Sequence, residues 1–332
     1  AGALELRRAE REPRTLAVVH EYIPHEQTAW GYTLDALGQF FERALPHVAE
    51  VRETPLPGPD VLACPADDCP PLARGLFGFY LNQVAMLGRR TAELHAVLAS
   101  DHDDPAFAPE PFTPFYQRAQ KQSLRNLRVQ TLEALRNRMD DVPVELHDLA
   151  KTVVDAEPEI RRRLAPMRDR TIHSLRIRCH GNYHLGEILY TGKDFVITDF
   201  EGDPAQSLSE RRGKHSALRD VAGMMRSFDY AAHAATLRAT QGAVPVAIEQ
   251  LEPLRRLWSG WVPAAFLQGY LAAAAGQPFL PADRDELKTL LDISLLEEAL
   301  FELGYHLEQR SEWLRVPLEG ILQVLRLSPQ TS

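Results

Sequence analysis

Apolar residues recurring every three or four positions fill most of this chain, and that period breaks only once for long, between residues 174 and 204. The recurrence is the mark of amphipathic helices, and it limits the chain to a helical body around one small β element. In the stretch 29–51, Tyr32, Leu34, Leu37, Phe40, Phe41 and Leu45 hold the helical spacing. Further helical patterns run over 76–98, 117–138, 146–163, 217–240, 248–275 and 284–310. Residues 52–72 are Pro-rich and acidic and read as a loop. Residues 174–179 alternate as a strand. Residues 188–190 and 195–198 flank Thr191-Gly192-Lys193-Asp194, a turn that predicts a hairpin. One more strand is expected over 15–23, stopped by Pro24. The fold class is therefore α+β, mostly helical.

With 332 residues, 45% apolar and 25% charged, the chain has material for a sizeable core. A formal charge of −9 with no long basic run argues against nucleic acid as a partner. The longest apolar stretch, 261–276, contains Pro263 and Gln268 and is shorter than a membrane span, so a buried helix is expected and no membrane partner. The sequence shows no secretory signal. Three cysteines, Cys64, Cys69 and Cys179, are too few for a disulfide framework, which suits a cytoplasmic protein. Cys64 and Cys69 have the spacing of half a metal site, but no second pair follows, and a loop is the better reading.

The hairpin carries the chemistry. If Tyr190 pairs with Phe195, then Glu187 faces Thr198 and Gly186 faces Asp199 at the open end of the ladder. Glu201 follows two positions on, and Asn182 lies in the loop before the first hairpin strand. Acids crowded together in an already negative chain call for a cation, and Mg2+ suits hard oxygen ligands shared with substrate phosphates. A polar hairpin end in solvent is the plain alternative. His180 and His184 are four apart, but Gly181 argues against a helical metal pair; His180 is expected to brace the loop and His184 to neighbour phosphate or sugar. Asp220, at the start of a helix, is expected to tie that helix to the His180 loop. The segment 209–215 sets Arg211, Arg212, Lys214 and His215 just beyond the acids, where they either meet phosphate oxygens or face solvent.

The segments HGNYHLGE (180–187), TDFEGDP (198–204) and LRDVAGM (218–224) resemble the site motifs of maltokinases, within the aminoglycoside phosphotransferase and choline kinase type. The runs LGRRTAELH (87–95) and LEEALFELGYHLEQRSEWLRVPLEGIL (296–322) extend that resemblance along the chain. It implies a kinase-like fold in two parts: residues 1–24 as the last strand of a small lobe with the hinge, and 25–332 as a helical C-terminal lobe containing the catalytic hairpin 174–204. It also implies ATP and Mg2+ as cofactors, maltose as the acceptor, maltose 1-phosphate as the product, and a linked or associated trehalose synthase domain as a partner. Glu21, Tyr22 and Ile23 would meet adenine. Asn182 and Asp199 would be catalytic, Glu187, Asp199 and Glu201 would hold the metal, and His184, Glu297 and Tyr305 would contact the sugar.

The pattern departs from that family where Asn182 replaces a base Asp, Glu187 replaces Gln, and Glu298 and Phe301 replace Lys and Tyr. Asn orients a hydroxyl but accepts no proton as a carboxylate does, and a general base contributes roughly a hundred- to ten-thousand-fold. Two readings follow: an ATP-dependent maltokinase, or a degraded kinase lobe that binds a sugar or a partner without turnover.

Overall fold

The computed structural model describes residues 2–58, save 8–13, then 60–63, 68–169, 172–204, 206–242, 244–309 and 312–327. Strands β1 (Gly2–Leu6) and β2 (Arg14–Val19) pair antiparallel as a ribbon of their own. The strand expected over 15–23 has a partner and ends at Val19. β1 escapes a sequence reading because Gly-Ala-Leu-Glu-Leu holds no β-branched or aromatic residue.

Strand β3 (Gln27–Thr28) leads into α1 (Ala29–Ala44), whose first turn is capped by Thr28 Oγ1, accepting the Gly31 N–H at 3.3 Å. A 3-10 turn containing Pro46 separates α1 from α2 (Val48–Glu53), so the helix expected over 29–51 is two. Helix α3 (Pro71–Phe77) precedes α4 (Tyr80–Leu98), with Gly78 between them. After β4 (Glu110–Pro111), Thr113 caps α5 (Pro114–Asn137), and Pro114 sits at the first helical position, where its missing N–H costs nothing. The helix expected over 146–163 breaks before Pro158 into α6 (His147–Asp155) and α7 (Glu157–Leu164), followed by α8 (Pro166–Asp169). The strand and hairpin appear as β5 (Leu175–Arg178), β6 (Ile188–Tyr190) and β7 (Phe195–Ile197). Then come α9 (Leu208–Arg211), β8 (Lys214–His215), α10 (Leu218–Thr240), α11 (Ile248–Ala273), α12 (Arg284–Gln309) and α13 (Arg315–Leu325).

Helix α11 packs along α4 and α10, and α12 lies against α10, α5 and α13. The α4–α11 crossing is close enough for backbones to touch. A Cβ on Gly88 would stand 2.1 Å from the Phe266 carbonyl oxygen, and one on Gly269 would stand 2.0 Å from that of Ala85. Any side chain at either position forces the helices apart. Trp258, fully buried, fills the next layer against Phe40, Phe77 and Tyr80, with ring centroids 4.8–5.8 Å apart.

Two small sheets hang on this frame. One has the order β3-β6-β7, the other β4-β5-β8. In the hairpin Tyr190 pairs with Phe195 and Ile188 with Ile197, the register expected from the turn. Arg90 of α4 anchors that turn by a double hydrogen bond to Asp194, at 2.9 and 2.7 Å. Among the described residues no helix is long and apolar enough to cross a membrane. Cys69 and Cys179 are buried; Cys64 lies outside the described residues.

Candidate active site

Strand β5 delivers the chain into the loop 179–187, and α10 holds that loop from below. The Asp220 carboxylate, in the first turn of α10, accepts the backbone N–H of His180 at 2.7 Å and of Gly181 at 3.0 Å. Gly181 has φ +84°, a conformation open to glycine at little cost, which aims both N–H groups at one carboxylate. A third donor reaches Asp220 from His95 of α4, whose Nε2 lies 3.1 Å from Oδ2. The other His95 nitrogen, Nδ1, lies 3.0 Å from the Tyr270 hydroxyl, so Tyr270 donates to His95 and His95 donates to Asp220. All three side chains are buried. Burial opposes the Asp220 charge, but His95 and the Gly181 N–H outweigh it and hold this carboxyl below its usual range. Asp220 thus ties α10 to the loop. His95 and Tyr270 were not foreseen, although His95 sits four and seven residues from Thr91 and Gly88 on the buried face of α4, a place where a histidine needs a polar partner.

Two further bonds fix the loop. Tyr183 donates to Thr91 Oγ1 at 2.8 Å, since the Thr91 hydroxyl proton already goes to the Leu87 carbonyl. The Leu185 N–H donates to Ser227 Oγ at 3.1 Å. His180 then links the loop to the hairpin: its Nε2–H donates to the Thr198 carbonyl at 2.7 Å.

Asp199 follows Thr198 with φ +61°, a left-handed backbone that costs a non-glycine residue roughly 1–2 kcal/mol. Thr198 is held on Glu187, giving its N–H at 2.9 Å and its hydroxyl at 2.8 Å to the Glu187 carbonyl. The two carboxyls are thereby brought together. Burial, a hydrogen bond donated to Asp199, and the charges of Asp199 and Glu201 raise the Glu187 carboxyl to about 7. His184 caps the short turn 185–187: its Nδ1 accepts the Gly186 N–H at 3.1 Å, so Nε2 carries the proton and faces Glu187 Oε1 at 3.2 Å. Burial and His180 push His184 below the usual imidazole value. Among the described residues no group of three or more His, Cys, Asp or Glu side chains is placed to hold a metal ion. Two carboxyls sharing a proton, with a third within range of its charge, nevertheless suit a hard divalent cation, which would take the proton's place and complete its shell with phosphate and water.

Helix α12 carries a second acidic group, beside Arg219 of α10. Burial raises Glu297, partly offset by Arg219 of α10; burial and then Glu302 raise Glu298 to about 8. Glu302 is held by Arg226, whose Nη2 lies 2.8 Å away. Glu297 and Arg219 line a cavity of about 30 Å³ together with Tyr116, Gln120, His215 and Ser294. Tyr305, two turns beyond Glu298, is exposed, with its ring edge against His306. Glu21, Tyr22 and Ile23 lie in the link between the β1–β2 ribbon and β3, with Tyr22 exposed beside His25. The structure therefore assembles Asn182, His184, Glu187, Asp199 and Glu201 around one loop and hairpin. Glu297 lies beside Arg219 in the cavity lined by α5, α10 and α12, and Tyr305 and residues 21–23 lie on α12 and in the link before β3.

No family model matches this chain. The curated glucosamine kinase of Streptacidiphilus jiangxiensis is 27% identical over 261 residues, covering 76% of this chain and 51% of that protein. The glucosamine kinase of Mycolicibacterium smegmatis is 28% identical over 148 residues, covering 42% of this chain and 32% of its own length. The chain spans about half the length of the first of these relatives and a third of the second. A solved glucosamine kinase in complex with glucosamine, ADP and inorganic phosphate superposes over 92% of this chain and 62% of its own, with a TM-score of 0.62 at 23% identity. A second crystal form of a glucosamine kinase covers 97% and 64%, with a TM-score of 0.65. The chain shares its fold with glucosamine kinases.

This overturns the expected partners. The matched proteins are sugar kinases named for glucosamine, not maltose, and nothing in them points to trehalose synthase. The maltose expectation rested on the segments 180–187, 198–204 and 218–224, whereas α12 departs from the maltokinase pattern at Glu298 and Phe301.

Proposed function

We propose that this chain is the acceptor-binding lobe of an ATP-dependent kinase for an amino sugar of the glucosamine class. The observation that carries the proposal is the Glu187–Asp199 carboxyl pair, held on a hairpin beside a loop that Asp220 clamps, within a fold shared with glucosamine kinases. In phosphoryl transfer the protein mainly positions groups and stabilises charge, and this arrangement serves that task. Glu187, Asp199 and Glu201 would hold Mg2+, which would neutralise charge on the transferring phosphoryl group. Asn182 orients the acceptor hydroxyl. His184, its proton on Nε2, holds Glu187 in place. His180 and Asp220 keep the loop and hairpin in register. Residues 21–23 serve as the adenine-facing link.

The acceptor class rests on α12. Glu297 and Glu298 are carboxyls whose burial discourages their charge, and the ammonium of an amino sugar would relieve that penalty where a neutral sugar would not. Tyr305 offers an apolar face with a polar tip at the outer end of the same helix.

A second reading, sugar binding without turnover, is favoured by one residue: Asn182 stands where the related motifs have a carboxylate. Glucosamine-dependent ADP release, measured for the chain with and without glucosamine, tests the first reading. ADP formation that follows glucosamine concentration supports it. ADP formation indifferent to glucosamine, with no binding of the sugar by calorimetry, overturns both readings.

A further inference from the structure

Donors outnumber acceptors beside the loop 179–187. The register of β5 on β8 sets Arg178 directly opposite Lys214, two residues along from Arg176 on the same strand. The acids of this face are already engaged. Glu110 takes Arg176 Nη2 at 2.5 Å and Lys214 Nζ at 2.9 Å. Glu210 is spent in the capping box of α9, accepting the Ser207 N–H at 2.9 Å and hydroxyl at 2.7 Å. Arg211 gives Nη1 to the Glu201 carbonyl at 3.3 Å, but its Nε is buried without an acceptor, as is Nε2 of His215. Arg178 is half-buried and, among the described residues, neither it nor Arg212 has an ion pair or side-chain hydrogen bond. Burial and the neighbouring Arg212 charge act against the Arg178 charge, and no carboxylate is among the groups that offset them. Two like charges held close, one of them half out of water, are unfavourable unless an anion completes the set.

We propose that Arg178 and Arg212 form a phosphate-monoester site at the base of the loop 179–187, reading a dianionic phosphate through guanidinium hydrogen bonds. This rests on the kinase reading above and extends it. Arginine suits the task because its planar fork matches phosphate oxygens and keeps its charge when partly buried. The phosphate has two sources: a sugar that already carries one, or the phosphoryl group that the site transfers. Arg178 lies two residues before His180, so either source would leave the phosphate next to the groups that hold Asn182 and Asp199.

Equilibrium titration of inorganic phosphate into the chain tests this without turnover, so a failed kinase assay and a failed anion site remain distinct results. The chain should bind phosphate, and added sodium chloride should weaken that binding. R178Q and R212Q should each weaken it about tenfold, and the double variant more, as expected for loss of a charged hydrogen bond. R238Q, at an exposed position of α10, should leave it unchanged. Circular dichroism melts of each variant establish that it is folded. Glucosamine 6-phosphate bound more tightly than inorganic phosphate, with the same arginine dependence, would identify a sugar phosphate as the occupant; equal affinity would identify the phosphoryl group itself. Phosphate binding that R178Q and R212Q leave unaltered, or no phosphate binding by the folded chain, would overturn the proposal.

Discussion

Replacing Asp220 with Asn removes a charge from the middle of a buried network while keeping its shape, and the cost can be worked from the contacts. Oδ2 accepts the His180 N–H and the His95 Nε2–H, and Oδ1 accepts the Gly181 N–H. The Asn carbonyl can serve one side only. Its amide then faces a donor on the other, leaving at least one buried N–H without an acceptor. A lost hydrogen bond to a charged group, with an orphaned donor, costs about 1.5–3 kcal/mol, and weakening of the neutral remainder brings the total to about 2–4 kcal/mol. Unfolding entropy near 2.1 cal/mol/K per residue over 332 residues gives about 0.7 kcal/mol/K, so Tm should fall by roughly 3–6 °C. Displacement of the loop by an ångström should also lower any phosphoryl transfer by about a hundredfold. Because Asp220 sits below its ordinary carboxyl value in the folded protein, its contribution is present above about 3.8 and is lost as pH falls through the folded value; the D220N penalty should therefore shrink in strong acid. Calorimetric melts at several pH values, with turnover measured beside them, provide the test. A D220N protein that melts within a degree of the parent near pH 7 and keeps its turnover would refute the clamp.

Glu187 gives the opposite pH dependence. Its folded value near 7 lies above its ordinary value of 4.5, so its stabilising contribution is full below 4.5 and is lost as pH rises through 7. E187Q should flatten the stability profile between those limits, and Mg2+ should raise the parent's Tm more at pH 8 than at pH 6 but show little such difference in E187Q; melts across pH with and without Mg2+ check both. G88A and G269A should each destabilise by at least about 2 kcal/mol, because the new Cβ meets backbone at 2.1 and 2.0 Å, and urea unfolding measures the loss. R90A should release the hairpin turn from α4, seen as faster amide exchange at Phe195 and Val196, with a loss of about 1 kcal/mol or more in overall stability.

Much of this was legible in the sequence because period and turn chemistry act locally. The switch from helical to strand period at 174, and the four-residue turn 191–194, fixed the register that puts Glu187 opposite Thr198. What escaped was long-range. His95 reads as one more residue on a helix face until α10 and α11 bring Asp220 and Tyr270 to it. The partner strand β1 and the short pieces α9 and β8 lack β-branched runs or length, so their pairing is decided by tertiary contact. The split of 29–51 was visible in Pro46 and that of 146–163 in Pro158, yet helical periodicity running through both prolines hid the breaks. The acceptor went astray for a different reason: the expectation of maltose rested on short segments around 180–224, and the acids at 297 and 298 only gain meaning once they are seen beside Arg219.

The measurement that bears most directly on the phosphoryl-transfer reading is the yield of glucosamine phosphate, followed by phosphorus NMR with ATP and Mg2+, for the chain beside its N182D and D199N variants. The account predicts slow product formation by the parent, a rise of about a hundredfold or more in N182D as a carboxylate base is restored, and none in D199N. Product formation that survives D199N undiminished, or no product from the parent and N182D alike, would contradict it.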